Sequence, residues 1–370
     1  MNTINKFIKH LSLFFIVVGL VVSSGALQVP LIPESSERPI PTEHDDDNLW
    51  DRLRADFSLD HATEQKLVQT HRTWFLNNPD YIEKVFSRAE PYLYYIAEEI
   101  KARDLPMEFV LIPVIESMYD PHARSHAGAT GLWQLMAVTA KHYKIVQNSM
   151  YDGRRSVQES TDAALNHLAY LATVYDNDWH LVLAAYNVGH GRINKEIAKN
   201  KAAGRGTSFW DLNNLPKETL NYVPKLIALA DVVKHYERHD MELPVVPDEP
   251  QVAVVDIDVE DYLDITIAAD LADVEPETLL EMNPGFTQTI IANNTDTLLI
   301  PHDKVEIFET ALANYVPVKK ATYSYVVQAG DSLNQISKTH GASVAMIQQY
   351  NNLSSNNLQI GQKLKIPRGA

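Results

Sequence analysis

Apolar residues recur at three- and four-residue spacings from Leu49 to about His239, which is the period of helices that each bury one face. Breaks rich in Gly, Pro or Asn separate the periodic stretches, for example at 77–79, 104–106 and 213–216. The pattern therefore predicts an all-α domain over residues 49–240. Three of the clearest stretches contain Tyr92, Leu93, Ile96 and Ile100; Leu165, Leu168 and Leu171; and Leu226, Ile227, Ala230 and Val233.

The pattern changes class after residues 241–251, which contain three prolines and are predicted to be a linker. Residues 252–302 hold an alternating β-branched segment, a short helical segment and a second strand-like segment. Residues 323–368 repeat this order after a second predicted linker at 303–322. The C-terminal part is therefore predicted to form two small α+β modules, each with the order β-α-α-β.

The two modules can be aligned on an aspartate and an asparagine. Asp264 precedes Asn283 by 19 residues, and Asp331 precedes Asn351 by 20. This near-equal spacing indicates an internal repeat, of which the first copy is degenerate.

The N-terminus has the features of a secretory signal peptide. Lysines precede an apolar run from Leu11 to Val22, and small residues follow up to Ala26. Such a run is too short to cross a bilayer as a helix, and the small residues fit a cleavage site. We expect residues 1–26 to be a signal peptide, residues 27–48 to be an acidic, Pro-rich tether, and the protein to be exported.

Composition excludes several classes of function. The chain has 32 Lys and Arg against 48 Asp and Glu, a formal charge of −16, so a nucleic-acid partner is not expected. It has no cysteine, which excludes disulfides, thiol nucleophiles and a lipid anchor through cysteine. His122 and His126 are spaced as metal ligands could be, but no paired acid lies beside them. Neither a metal nor a cofactor is predicted.

Glu116 is the strongest candidate for chemistry. Pro106 can open a helix, and residues 107–115 are apolar except for Glu108, so Glu116 comes at the C-terminal end of a buried helix. Burial and the negative end of the helix dipole both raise the pKa of a carboxyl group. A raised pKa keeps a proton available near neutral pH, as a general acid requires. The alternative is a glutamate at a helix end that turns to solvent.

Four blocks of sequence around and after Glu116 resemble the lysozyme-like lytic transglycosylases. They are the segments at 112–117, 125–135, 185–189 and 218–223, which occur in this order. The resemblance is strongest to the subgroup called membrane-bound lytic murein transglycosylase D, in which such a domain precedes LysM modules. It implies a lysozyme-like (SLT) catalytic fold, with its catalytic core at about 100–235.

The resemblance also implies roles for individual residues. Glu116 matches the family's single catalytic acid and base. The other matching positions are expected to line the sugar cleft and bind substrate: Ser117, Ser125, Gln134, Tyr186, Asn187 and Tyr222. An amide such as that of Asn187 can orient an acetamido group, and tyrosines can offer ring faces to sugars or hydroxyls to Glu116.

The C-terminal repeat resembles the LysM module, a family that binds glycans containing N-acetylglucosamine. The positions implied in glycan binding are Gly330, Asp331, Ser332, Leu333, Asn351, Asn352 and Leu353. The first repeat lacks the Gly-Asp turn near Asp264, so packing or spacing is its expected role rather than glycan binding.

The family resemblance implies a reaction that one carboxyl group can complete. The acetamido oxygen of N-acetylmuramic acid supports the positive centre while Glu116 acts first as acid and then as base, and a 1,6-anhydro sugar results. Two alternatives remain open, a muramidase that uses water and a catalytically silent scaffold that binds the wall. The expected partner is the glycan strand of peptidoglycan, and the expected location is the periplasm. No protein partner is indicated.

Overall fold

The computed structural model describes residues 48–148, 150–239, 241–257, 263–287, 290–291, 295, 297–316 and 322–367. The predicted signal peptide at 1–26 and residues 27–47 of the predicted tether lie outside these ranges. Asn48 is described and caps the first helix, because its Oδ1 accepts a hydrogen bond of 3.2 Å from the amide of Trp50.

The apolar periodicity correctly predicted a helical first part. Its α-helices are α1 (Leu49–Ala55), α2 (Lys66–Leu76), α3 (Pro79–Lys101), α4 (Ile112–Ser117), α5 (Ala137–His142), α6 (Val157–Val174), α7 (Trp179–Val188), α8 (His190–Ala202) and α9 (Lys217–Lys234). Short 3-10 helices lie at Met107–Leu111, Phe209–Asp211 and Tyr236–His239. Within the described residues, no helix is both long enough and apolar enough to cross a membrane.

Local sequence explains where several of these helices begin. Pro79 stands in the first turn of α3, where its missing N–H costs no hydrogen bond. Ser156 and Asp178 cap α6 and α7, since their side chains accept hydrogen bonds from backbone amides in the first turn.

Helix α9 forms the centre of the helical core. Most of its residues are buried, and Val223, Leu226 and Ile227 are fully so. Helices α2, α7 and α4 all pack against it. Burial of apolar surface on every side of α9 thus fixes α4, which carries Glu116, relative to α9.

Residues 241–251 were predicted as a linker, and in the structure they pack on α1. Leu243 and Val246 are buried in the same core as the helices, and the carbonyl of Val246 accepts a hydrogen bond of 2.8 Å from the amide of Leu49. Asp248 forms an ion pair of 2.8 Å with Arg52. The segment therefore contributes to the folded helical part.

The first module has the predicted order of an outer strand, two helices and a second outer strand, with an additional pair of short strands that was not predicted. Strand β1 (Val252–Asp256) pairs antiparallel with β4 (Thr297–Pro301), and β2 (Leu263–Asp264) pairs with β3 (Ile290–Ile291). Helices α10 (Ile265–Ala272) and α11 (Pro276–Met282) lie between them in sequence.

The prediction of a linker over residues 303–322 was wrong for its first part. A third helix, α12 (Val305–Ala313), follows β4 in this region. Its Phe308 is fully buried in the core of the first module, and Tyr315 packs against the same core. The first module therefore extends to Tyr315 rather than ending at residue 302.

The second module repeats the layout in a shorter form. Strand β5 (Thr322–Val326) pairs antiparallel with β6 (Lys363–Pro367), and α13 (Leu333–His340) and α14 (Val344–Tyr350) lie between them. Leu333, Ile336, Ile347, Leu364 and Ile366 form its small core.

One asparagine holds the last strand in each module by the same three hydrogen bonds. Asn351 donates to the carbonyls of Ile347 and Lys365 and accepts from the amide of Lys365. Asn283 does the same with Leu279 and Leu299. The two asparagines are therefore structural equivalents, as the repeat alignment predicted.

The other half of that alignment is off by one residue. Asp264 caps α10 in the first module, and Ser332, not Asp331, caps α13 in the second. Ser332 precedes Asn351 by 19 residues, the same distance that separates Asp264 from Asn283. Residue 263 of the first module therefore corresponds to Asp331 of the second.

Candidate active site

Glu116 lies in the last turn of α4, as the apolar run before it predicted. A 3-10 turn at Met107–Leu111 leads directly into α4, and Pro106 precedes that turn. The helix stops because Met118 and then Tyr119 adopt left-handed backbone angles, with φ of 56° and 54°. This sharp end leaves the Glu116 side chain facing α9.

The surroundings of Glu116 favour its protonated form. Burial raises the pKa of its carboxyl group to about 7, and the charge of Glu218 also raises it. The hydrogen bond from Tyr222 and the charge of Lys225 act in the opposite direction. Near neutral pH the group can therefore exist with or without its proton, which agrees with the raised pKa that the sequence predicted.

Two tyrosines flank this carboxyl group. The hydroxyl of Tyr222, on α9, donates a hydrogen bond of 2.8 Å to Oε1 of Glu116. The hydroxyl of Tyr186, on α7, donates one of 2.8 Å to the carbonyl of Trp133. Burial and the charge of Glu116 raise the pKa of both phenols well above 10, so both hydroxyls keep their protons.

The loop after α4, residues 120–135, forms one side of the site. Gln134 has a left-handed backbone, and its side-chain amide donates to the carbonyls of Gly131 at 2.9 Å and Ala123 at 3.2 Å. Ser125 is exposed, and its hydroxyl accepts a bond of 3.0 Å from the amide of Ala129. Both side chains therefore shape this loop, which we call the cleft loop.

Ser117 does not face the cleft, contrary to its expected role. It is buried, and its hydroxyl lies 2.8 Å from the carbonyl of Leu132 and 3.2 Å from that of Pro113. It therefore ties the end of α4 to the cleft loop, and contact with a sugar is not available to it. Trp133 is also buried and donates to Thr161, so it fills the core.

Asn187 is held in place by a residue that the sequence analysis did not single out. Its Oδ1 accepts a hydrogen bond of 2.8 Å from the hydroxyl of Thr219 on α9. Asn187 is partly exposed at the end of α7, next to Tyr186. The bond fixes the direction of the amide, which is what positioning an acetamido group would require.

Sequence reasoning also missed two charged residues that act on Glu116. Glu218 and Lys225 lie four residues before and three residues after Tyr222 on α9, so they share its face of the helix. This helical spacing from Tyr222 could have identified both residues from the sequence. Glu218 lies within the last of the four resembling blocks, 218–223, and its charge raises the pKa of Glu116.

Most of the predicted glycan-binding positions of the second module lie at its surface. Gly330 has φ of +89°, and Asp331 accepts bonds of 2.7 Å from the hydroxyl of Tyr325 and the amide of Gln328. Ser332, Asn352 and Leu353 are exposed or half-buried.

The prediction that Leu333 and Asn351 bind glycan is not supported by their positions. Leu333 belongs to the module core, and the amide of Asn351 is occupied by its bonds to the backbone of residues 347 and 365. Both residues hold the module together, and neither presents its side chain to a ligand.

Across the residues that the structure describes, no group of three or more His, Cys, Asp or Glu side chains is arranged to hold a metal ion.

Comparison with known proteins gives three matching domain families. Residues 94–209 match the transglycosylase SLT domain, residues 325–367 match the LysM domain, and residues 253–316 match the LysM-like domain of lytic transglycosylase MltD. The first match contains Glu116, Tyr186 and Asn187 but ends before α9. The third match ends at residue 316, after α12.

Individual relatives are similar over different lengths of the chain. Membrane-bound lytic murein transglycosylase D of Escherichia coli (strain K12) is 35% identical over 339 residues, covering 88% of this chain and 74% of the relative. Soluble lytic murein transglycosylase of the same strain is 28% identical over 165 residues, covering 42% of this chain and 25% of the relative. Among solved structures, the 70-kDa soluble lytic transglycosylase of Escherichia coli is similar with a TM-score of 0.34 at 22% identity, covering 51% of this chain and 32% of the other.

Proposed function

Since the chain belongs to the membrane-bound lytic murein transglycosylase D family, we propose that it cleaves the glycan strands of peptidoglycan without water. The bond cleaved joins N-acetylmuramic acid to N-acetylglucosamine through a β-1,4 linkage. The products carry 1,6-anhydromuramic acid ends. The enzyme is thus a lyase with a helical, lysozyme-like catalytic domain.

The hydrogen bond of 2.8 Å from Tyr222 to Glu116 is the observation that carries this proposal. It belongs to a carboxyl group whose pKa is raised to about 7, chiefly by burial. A group with such a pKa can give up a proton and take one back at the same pH. One residue can then serve both halves of the reaction.

In the first half, Glu116 donates its proton to the glycosidic oxygen. The bond from C1 of N-acetylmuramic acid to that oxygen breaks, and the N-acetylglucosamine part leaves as an alcohol. Positive charge develops at C1, where the substrate's own 2-acetamido oxygen supports it. Asn187, fixed by Thr219, would orient that acetamido group.

In the second half, the ionised Glu116 takes the proton from the C6 hydroxyl of the same sugar. The oxygen of that hydroxyl bonds to C1 and closes the 1,6-anhydro ring. Tyr222 still donates to the carboxylate, and the charge of Lys225 favours the ionised form. The protons balance, because the one given to the leaving group is regained from C6.

One observation favours a second candidate, a hydrolytic muramidase. Hydrolases of this kind use two carboxyl groups, one as acid and one as base or nucleophile. Glu218 is an exposed carboxylate on the same helix as Tyr222 and acts on Glu116. In that candidate, Glu218 would be the base that activates a water molecule.

Product analysis separates the two candidates. Purified sacculi are digested with the full chain, and the fragments are analysed by mass spectrometry. Anhydro ends, lighter by one water than reducing ends, support the transglycosylase. Reducing ends would establish the hydrolase, and an absence of soluble fragments would indicate a silent scaffold.

We propose that the second module brings the enzyme to the wall. Gly330 and Asp331 precede α13, Asn352 follows α14, and all three are exposed or half-buried. A glycan can lie across the backbone groups and short side chains of such turns. A tethered binding module raises the effective concentration of the catalytic domain at an insoluble substrate.

We also propose that the protein is exported and acts in the periplasm, since its substrate class lies there. The supporting observations are the apolar run from Leu11 to Val22 and the small residues up to Ala26. Fractionation of cells, together with N-terminal sequencing of the protein recovered, tests this. A first residue of Leu27 supports cleavage after residue 26, and recovery from the cytosolic fraction contradicts export.

A further inference from the structure

The first module docks on the helical domain through the turn that follows Asn283. In the second module, the equivalent turn after Asn351 contains the exposed Asn352 and the half-buried Leu353. In the first module, Pro284 and Gly285 are buried at this point. The turn that offers a surface for glycan in one repeat is therefore covered in the other.

The segment that covers this turn is residues 150–152 of the helical domain, which are strand-like. The amide of Asp152 donates to the carbonyl of Gly285 at 2.8 Å, and the amide of Thr287 donates to the carbonyl of Met150 at 2.9 Å. The rings of Tyr151 and Phe286 lie 5.1 Å apart between these bonds. Paired backbone bonds around an aromatic contact make this an antiparallel strand pairing.

Gly285 is required for this pairing. A Cβ at residue 285 would lie 2.6 Å from Cε2 of Tyr151, which is closer than real Cβ contacts come. The Tyr151 ring is restrained from withdrawing, because its hydroxyl donates a bond of 2.6 Å to Glu159. A second contact, from Thr297 to Gln158 at 2.7 Å, holds the last strand of the module to α6.

The docked segment is connected to the cleft loop through Arg154. Asp152 binds the guanidinium of Arg154 with both carboxylate oxygens, at 2.9 and 2.8 Å. Arg154 in turn donates a bond of 3.0 Å to the carbonyl of Gly128 in the cleft loop. The carbonyl of Arg154 also lies so close to Gly131 that a Cβ there would come within 1.8 Å of it.

The cleft loop is in turn bonded to residues of the active site. Its Leu132 and Trp133 carbonyls accept hydrogen bonds of 2.8 Å from Ser117 and Tyr186. Ser117 follows Glu116 directly, and Tyr186 is near enough for the charge of Glu116 to raise its pKa. Hydrogen bonds and the short backbone stretches between them thus connect Gly285 to the surroundings of Glu116.

We infer that the first module holds the active site in position and does not bind glycan. We call this restraint on the cleft loop the brace. Its turn at 284–287 holds residues 150–152, and Arg154 passes this restraint to the cleft loop. Arg154 is then a positioning residue, because it acts through the loop and does not touch the substrate. The inference rests on the proposed function only for its effect on turnover, since the docking itself can be measured without substrate.

The test is Gly285→Ala in the full chain, with Gly191→Ala as the matched control. A Cβ at Gly191 meets open space, and its backbone is helical, so the same methyl group is added without a clash. Hydrogen–deuterium exchange is followed at residues 150–154 and in the cleft loop. Turnover is measured on soluble glycan strands.

We expect Gly285→Ala to speed exchange about tenfold at the Asp152 amide and in the cleft loop, because the added methyl overpacks the contact. The value of kcat should fall several-fold, while binding of chitooligosaccharide by the second module stays as in Gly191→Ala. Unchanged exchange at Asp152 would show that the docking does not occur. If exchange is faster at Asp152 while cleft-loop exchange and kcat stay at wild-type values, the docked module does not act as a brace.

Arg154→Lys serves if Gly285→Ala fails to fold. Lysine keeps the positive charge but cannot reach Asp152 and Gly128 together with a planar fork of donors. Here exchange should rise in the cleft loop alone, with the Asp152 amide still protected and kcat lowered. Wild-type loop exchange and kcat in this variant would overturn the role of Arg154. Exchange data without substrate stand whichever products the enzyme forms, so failure of the brace and failure of the proposed reaction are distinguishable.

Discussion

The hydroxyl of Tyr222 donates a hydrogen bond of 2.8 Å to Oε1 of Glu116, which joins two residues 106 positions apart in the chain. The bond links α9 to α4 and is directed at the carboxyl group whose proton the reaction uses. It stabilises the ionised form of Glu116, whereas burial stabilises the protonated form. The balance between the two sets the pH range in which Glu116 can act.

Tyr222→Phe should shift the pH profile of the reaction upward. Removing the hydroxyl removes an influence that lowers the pKa of Glu116, so the pKa rises above about 7. Because the acid must be protonated in the free enzyme, the alkaline limb of the kcat/KM profile moves to higher pH. The rate at its optimum should fall, since the ionised intermediate state loses a hydrogen bond.

Tyr175→Phe is the control for that measurement. The Tyr175 hydroxyl bonds to the carbonyl of His190 and to Asn194, so its loss does not touch Glu116. A profile that stays in place in Tyr222→Phe would show that the hydrogen bond does not act on the catalytic proton.

Glu218→Gln and Lys225→Gln should shift the same limb in opposite directions. The charge of Glu218 raises the pKa of Glu116 and that of Lys225 lowers it. The limb should therefore move to lower pH in the first variant and to higher pH in the second, and added salt should reduce both shifts. Shifts of the same sign in the two variants would disprove the electrostatic assignment.

Glu218→Gln also bears on the choice between lyase and hydrolase. If Glu116 alone supplies acid and base, this variant keeps turnover within about tenfold of the wild type, which is about 1.4 kcal/mol of barrier. A loss of several orders of magnitude would instead identify Glu218 as the base of a hydrolase.

The stability of the helical domain should depend on pH through His61. Its ring lies 3.5 Å from Oε1 of the fully buried Glu108 and 3.7 Å from Oδ1 of Asp231. Burial disfavours the charged ring, but attraction to these two acidic side chains outweighs it and raises the pKa of His61 above 6.5. The contribution of His61 to stability is then fully present below about pH 6.5 and is lost as pH rises through the folded pKa.

Asp231 gives the opposite limit at low pH. Its own burial opposes ionisation, but the nearby His61 and the hydrogen-bonded guanidinium of Arg72 lower its pKa to about 2. Its contribution is present above the unfolded value of 3.8 and is lost as pH falls toward 2. Melting temperatures measured against pH should therefore fall on both sides for the wild type.

His61→Asn removes the titrating ring and should abolish the fall in melting temperature between neutral and mildly alkaline pH. The matched control is His122→Asn, which changes an exposed histidine. If His61→Asn and His122→Asn give the same curve as the wild type, the buried cluster does not control stability.

A chain that ends at residue 316 should separate catalysis from targeting. It keeps the whole first module with α12, and it keeps Val246, which a cut near Pro244 would remove from the core. Rates on soluble glycan strands should match the full chain within about threefold. On sacculi the shortened chain should be slower, because it loses the second module's contribution to effective concentration.

Two outcomes would contradict that prediction. Equal rates on sacculi with and without residues 317–370 would show that the second module is not used for targeting. A large loss on soluble strands would show instead that its contact with the helical domain, where Met150 packs on Ala345 and Met346, supports the fold.

Much of the fold and the position of Glu116 could be predicted because they depend on local pattern. The helical period gave the helices, and the apolar run before Glu116 gave a buried carboxyl group with a raised pKa. The helix over 305–313 was missed although Val305, Phe308 and Leu312 have helical spacing. The predicted β-α-α-β unit ends at its second strand, so the residues after residue 302 were taken for a linker.

Orientation within the site was not predictable from the sequence. Ser117 and Glu116 are adjacent, yet one hydroxyl turns into the core toward the carbonyl of Leu132 while the carboxyl faces α9. That difference depends on how the cleft loop packs. The docking of Gly285 on Asp152 likewise depends on a tertiary contact for which the only local signal was a glycine.

The substitution Glu116→Gln tests most directly the central claim that Glu116 is the catalytic acid and base. Glutamine keeps the size and can still accept a hydrogen bond from Tyr222, but it has no proton to transfer. The measurement is the rate of anhydro product formation from purified glycan strands, with Glu218→Gln as the matched exchange and melting temperature as the check on folding. We predict a loss of at least about 10²-fold for Glu116→Gln, with wild-type melting and wild-type binding to sacculi. Retention of more than about a tenth of wild-type activity, a barrier change below about 1.4 kcal/mol, would contradict the assignment of Glu116 as the catalytic acid and base.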